Sequence, residues 1–201
     1  MNRSGSQTFN KAARLALAAF LALAMSASAA QSPEPPAVPG NLVVEAGNHV
    51  YKIWHAIGTQ NQICLPRPSG IGLGWSFFGP QATLFDGETE QVMTHYLSAN
   101  PDEFGTPRAT WQHSRDTSTV WALMVQPSSD PDYVAAGAIP WLLLRVVGYE
   151  DGLTGGDKMS GTTFIQRVNT VGGVAPTTDC PAVGAKLLVP YEADYVFYRA
   201  D

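Results

Sequence analysis

From residue 41 onward, short apolar or alternating stretches are separated by clusters of Gly, Pro, Asn and Asp. The stretches fall at 42–45, 50–54, 58–64, 75–78, 82–85, 91–97, 109–113, 119–125, 162–169, 186–190 and 193–198. They are rich in Val, Ile, Thr, Tyr and Trp, residues that suit a pleated, half-buried surface. Turn residues punctuate them at short intervals, and no stretch sustains the helical period over about fifteen positions. The pattern predicts a mostly β, single-domain sandwich or barrel-like fold over 41–201. One segment departs from it. In "AIPWLLLRVVGYEDG", Pro140 stands where a first helical residue would, and glycines flank the run. This predicts one short helix near 139–148, although the run is also short enough for a buried strand.

Finer alternation divides the faces of two stretches. Along 164–170, Gln166 and Val168 fall on one side, with Ile165, Arg167 and Asn169 on the other. At 193–198, Asp194, Val196 and Tyr198 oppose Ala193, Tyr195 and Phe197. Apolar groups on both faces predict central strands covered on each side. An arginine in such a strand needs a partner, because an unpaired buried charge is costly. Asp194 or Glu192 is the expected carboxylate for Arg167, and Gly172–Gly173 then reads as a tight reversal with positive φ.

The first thirty residues change the picture of where this domain resides. Arg3, Lys11 and Arg14 accompany an apolar run at 15–25, and small residues follow to Ala30. This is the pattern of a secretory signal peptide cut after Ala29 or Ala30. The run is shorter than the roughly twenty residues of a membrane span. Residues 31–40 hold four prolines and read as an extended leader. The chain carries 12 basic and 17 acidic residues for a net charge of −5. The signal holds three of the basic ones and no acidic one, which leaves a mature charge of −8. An acidic surface without a basic run argues against nucleic acid as a partner. The two cysteines, Cys64 and Cys180, read as a disulfide in an oxidising compartment.

Motifs exclude more than they propose. "SGIGLGW" at 69–75 lacks the spacing of a phosphate-binding glycine loop, and no helical pattern follows it. No nucleophile elbow, H-E-x-x-H or C-x-x-C is present, and no cofactor is predicted. Tryptophans 54, 75, 111, 121 and 141 are spread one per element, as expected of core anchors. Pairing 91–97 with 109–113 so that Leu97 opposes Ala109 sets His95 opposite Trp111 and His113 opposite Met93 on one face. Asp116 follows closely, so His95, His113 and Asp116 form a candidate metal set. His95, Trp111 and Arg167 are the candidate ligand-binding residues, and their convergence on one pocket would distinguish a site from scaffold.

Several quoted elements together resemble a known family. They are "GTQNQIC" at 58–64, "GPQATLFD" at 79–86, His95, "ATWQHSRDTSTVWA" at 109–122 and "AIPWLLL" at 138–144. "FIQRVNTVGGVAP" at 164–176 with Cys180 and "VPYEADYVFY" at 189–198 complete the set. In these the chain resembles the exported family catalogued as domain of unknown function 3455. The resemblance covers nearly all of the chain beyond the signal. It implies one domain, export and a Cys64–Cys180 pair, and supplies no activity. The expectation is a secreted or periplasmic β-rich protein that binds a ligand or cell-envelope component without catalysis. The alternative is a metal-assisted enzyme using His95, His113 and Asp116.

Overall fold

The structure, a computed structural model, describes Met1 and residues 33–201. The rest of the expected signal segment, 2–30, and the first two residues of the expected leader lie outside the described residues. Eight strands follow one another: β1 (Asn48–Pro66), β2 (Leu73–Asp86), β3 (Glu90–Asn100), β4 (Thr106–His113), β5 (Thr119–Ser128), β6 (Trp141–Glu150), β7 (Thr162–Gly172) and β8 (Lys186–Ala200). Each pairs antiparallel with the next, and β8 returns to β1 to close a barrel. Full closure removes the unpaired strand edges that an open sheet must protect.

Ten of the eleven predicted segments become seven strands, because several apparent breaks lie within long, bent strands, and β6 is the eighth. Segments 50–54 and 58–64 are both β1, 75–78 and 82–85 both β2, and 186–190 and 193–198 both β8. Gly58 shows the reason. A Cβ there would overlap the Gln81 carbonyl and Ala82, so the glycine lets β1 and β2 cross closely. Segment 42–45 is not a strand; a single 3-10 turn at Gly40–Leu42 precedes extended chain.

Alternation sorts side chains into two cores. Inside the barrel lie Trp54, Leu84, Met93, Trp111, Tyr195 and Phe197 with smaller neighbours. Outside it, Val38 of the leader and Leu42 and Val44 just after it form a strap on Trp141, Leu143, Phe164, Val168 and Val196. Gln166 fastens this strap. Its Nε2 donates to the Leu42 carbonyl (2.7 Å), and its Oε1 accepts from the Tyr198 hydroxyl (2.7 Å). The two-sided cover expected for 164–170 and 193–198 is thus present.

The same cover explains why 139–148 is not helical. Residues 141–150 form β6, with Leu142 and Leu144 packed on the inner core and Trp141 and Leu143 on the strap. A strand apolar on both faces loses its period-two signature and reads as an unpatterned run.

Cys64 and Cys180 form the disulfide, with Cα atoms 5.7 Å apart. It pins the long β7–β8 connection to the end of β1. Gly172 and Gly173 have φ of 65° and 83°, but the chain does not reverse there. Gly172 still opposes Tyr191, and the Gly173 amide donates to the Pro190 carbonyl at 2.9 Å. A Cβ on Gly173 would meet Ile139, Tyr191 and Gln60 at 2.9–3.1 Å, so close approach over the barrel end, rather than a turn, demands glycine here.

Candidate ligand-binding site

An eight-stranded barrel is just wide enough to be filled by side chains or to hold one small molecule. This barrel does both. Its middle is plugged by aromatic rings: Trp54 and Phe197 lie 5.2 Å apart, and Trp111 and Tyr195 5.4 Å. A cavity opens on either side of the plug. The first, of about 290 Å³, lies at the mouth formed by the end of β1 and the start of β6.

His95, Trp111 and Arg167 converge on this first cavity, together with Gln60 and Tyr195. The predicted β3–β4 register holds, with Leu97 opposite Ala109 and His95 opposite Trp111. His95 stacks on the Trp111 indole, centroids 4.1 Å apart and planes 12° apart. Its Nδ1 lies 2.9 Å from the Thr110 carbonyl, so Nδ1 carries the proton and Nε2 is the acceptor. Burial depresses its pKa to about 3; the Thr110 carbonyl opposes that fall, and the nearby Arg167 charge adds to it. His95 is therefore neutral at physiological pH.

Arg167 reaches inward from β7, opposite Tyr195 on one side and Leu142 on the other. Its Nε and Nη2 both donate to the Pro140 carbonyl, at 3.3 and 2.8 Å. A guanidinium has five N–H donors, so the Pro140 carbonyl, with the Tyr195 hydroxyl also close to the fork, leaves part of it unused. The expected ion pair with Asp194 or Glu192 does not form. The parity of the two strands explains this: Arg167 faces the interior, while Asp194 faces out and meets His55 Nδ1 (2.8 Å) and Asn169 Nδ2 (2.8 Å). Glu192 also lies outside, with Oε2 3.6 Å from His55 Nε2. A bulge after Val168, with Asn169 at φ 51°, turns Asn169 outward against the simple alternation.

The walls of this cavity are mainly apolar, with Phe77, Leu97 and Met124 exposed at its rim. Among the described residues, no acidic side chain lines it. Arg108, at the edge, is already committed: its Nε and Nη2 clamp both Glu103 oxygens at 2.7 Å. That clamp holds the Glu103 carboxyl down at about 2. Two lining residues, Gln60 (4% exposed) and Trp111 (0%), carry buried N–H groups without a partner among the described residues. Burial raises the Tyr195 phenol's pKa, an effect that the Arg167 charge opposes.

His113 and Asp116 go elsewhere. His113 Nδ1 lies 3.2 Å from Asp116 Oδ1, and Asp116 organises the turn after β4 by accepting from the Ser118 hydroxyl (2.7 Å) and the Lys158 amide (2.9 Å). Burial pushes the His113 pKa down, against the pull of Asp116. His95 does not join them, since it sits diagonally across β3 and β4, where side chains are roughly 7–8 Å apart. Among the described residues, no group of three His, Cys, Asp or Glu side chains is placed to hold a metal.

His113 instead lines the second cavity, of about 490 Å³, at the opposite mouth. Four basic and three acidic side chains surround it. Arg115 pairs with Glu90 at 2.7 Å, and the Arg199 guanidinium lies 4.1 Å over the Tyr51 ring.

Gln60 and Tyr195 were not among the residues singled out from sequence. Gln60 was legible as a polar residue at an inward position of β1, in step with Trp54 and Ala56. Tyr195 was already placed on the face shared with Phe197. Of the tryptophans, 54, 111, 121 and 141 are buried and Trp75 is half-buried.

A sequence model of the family described as "Protein of unknown function (DUF3455)" matches residues 45–199. No curated protein and no solved structure matches the chain. No helix among the described residues is long and apolar enough to cross a membrane.

Proposed function

The chain belongs to the DUF3455 family, whose description supplies no chemistry, and we propose from the cavity's geometry that it is an exported, non-catalytic binding protein. Its ligand is a small, largely apolar molecule held in the mouth of the barrel between β1 and β6. The observation that carries this reading is the convergence of Arg167, His95, Trp111, Gln60 and Tyr195 at the foot of an apolar-walled cavity of about 290 Å³. Ligand pockets are typically concave and apolar, with a few convergent polar groups, and a volume near 300 Å³ suits a small ligand. The chemistry at the foot favours binding over turnover. His95 is held by Thr110 and by its stack on Trp111, without a hydroxyl or thiol nucleophile hydrogen-bonded to it. The leader and the disulfide support a periplasmic or extracellular setting.

Titration with N-phenyl-1-naphthylamine, a neutral apolar dye, tests the cavity itself. Saturable one-to-one fluorescence enhancement is expected, and Met124→Trp at the rim should weaken it at least fivefold. Absence of saturable binding, or indifference to that substitution, would refute the reading. Chemical conversion of a bound compound would replace it with the enzymatic alternative.

A further inference from the structure

Three side chains of this cavity, Arg167, Gln60 and Trp111, bring donors with spare capacity to it, and this selects a ligand. We propose that the occupant is a monocarboxylate with an apolar body, seated with its carboxylate on the guanidinium of Arg167; the assignment rests on the binding reading above. Among the described residues, Arg167 carries the only cationic group lining the cavity without a carboxylate, because Arg108 is clamped by Glu103. Pro140 takes Nε and one Nη2 proton, which fixes the plane of the fork and leaves the remaining edge for a planar, two-oxygen acceptor. Beside the same cavity Trp111 Nε1 is a buried donor without a partner among the described residues, and Gln60 Nε2, with the Tyr191 hydroxyl nearby, makes no well-formed hydrogen bond there. A buried donor left unsatisfied is costly, and an anionic acceptor answers both the donors and the charge.

The rest of the cavity sets the remainder of the ligand. Leu97, Ala109, Ala122, Met124, Leu142 and Leu144 offer hydrocarbon rather than hydrogen bonds, so the body beyond the head group is apolar. A single free cation matches one negative charge, and a phosphate monoester would bring a second charge that nothing in the cavity meets. His95 stays neutral because burial holds it near pH 3; it therefore adds no second cation, and it keeps the indole face of Trp111 covered.

Quenching of tryptophan fluorescence by octanoate, octanol and octylammonium at pH 7.5 separates the possibilities, since the three share one tail. Octanoate is expected to bind at least tenfold more tightly than octanol, and octylammonium more weakly than either. Arg167→Met should bring octanoate to the affinity of octanol while leaving octanol unchanged. Arg167→Lys should recover part of the preference. Equal binding of octanoate and octanol to the unaltered protein overturns the carboxylate assignment while leaving the cavity reading intact. So does a preference that survives Arg167→Met. If none of the three binds, the cavity reading falls and the assignment with it. The comparison within the unaltered protein stands even if Arg167→Met does not fold.

Discussion

Arg199 and Arg167 lie at opposite mouths of one barrel, and their surroundings differ in kind. Arg199 lies over the Tyr51 ring, donates to the Lys158 carbonyl at 2.7 Å, and shares its cavity with three acidic side chains. Arg167 projects among aliphatic and aromatic walls, bonded to the Pro140 carbonyl with the Tyr195 hydroxyl nearby, and no carboxylate among the described residues lines the cavity. The first environment gathers charges of both signs around a half-buried guanidinium, so that opposite charges offset one another. The second isolates one charge in apolar surroundings, where its field is strongest. The residue type alone does not mark a site; the missing counter-charge does.

Four perturbations probe this contrast. The largest concerns the disulfide, which anchors only the apolar mouth. By the chain-entropy estimate, Cys64→Ser with Cys180→Ser removes about 4–5 kcal/mol, readable by urea melts. Hydrogen exchange should then accelerate in 173–185 well before the turn around Asp116 at the other mouth. Next, Phe197→Ala opens the aromatic plug between the two cavities, and truncating so large a buried ring should cost about 3–5 kcal/mol. A crystal structure would then show the two cavities merged.

Third is pH. Burial lowers His95 from 6.5 to about 3, so the unfolded chain takes up a proton that the native state refuses. Stability is complete above about pH 6.5 and falls as pH drops towards 3. At pH 5 the loss from His95 should be about 2 kcal/mol, and His113, also lowered by burial, acts in the same direction. Glu103 and Asp116 have depressed carboxyl pKa values and contribute only at lower pH, so melts at pH 7.5 and 5 isolate the histidines. Octanoate affinity should stay flat from pH 8 to 6, because His95 gains no charge there. The smallest effect comes from Glu103→Gln, which frees Arg108 at the apolar rim. It should tighten octanoate binding by about two- to fivefold, whereas Glu90→Gln beside Arg115 at the polar mouth should leave it unchanged.

The β character, the β3–β4 register and the faces of β7 and β8, apart from Asn169 at the bulge, were legible in the sequence, because alternation and flanking turn residues are local signals. Closure of the barrel was not, since it depends on β1 meeting β8 across most of the chain. The helix predicted at 139–148 failed for a related reason: the leader strap covers β6 from outside, and no local window contains that strap. The partner assigned to Arg167 failed on register. Once Arg167 stands opposite Tyr195, it and Asp194 fall on opposite faces. The cavity was half legible. His95, Trp111 and Arg167 could be named from their chemistry, but their convergence requires three strands brought together by closure.

Closure also governs the order in which the molecule can be built. β1 pairs with β8 over most of its length, and the Asp201 amide reaches the Gly47 carbonyl at 3.0 Å. The seam therefore joins the first strand made to the last. Contacts this distant in sequence slow folding, because loop entropy is lost before they reward it. A chain emerging N-terminus first must keep β1 unpaired on that side until the final fifteen residues of β8 arrive. With the start of β1 and the end of β8 this close, a circular permutation that joins them is expected to be tolerated, with new ends cut in an exposed hairpin such as 87–89. Such a permutant would make the old seam an ordinary hairpin, and its faster refolding would measure how much of the barrier the seam imposes.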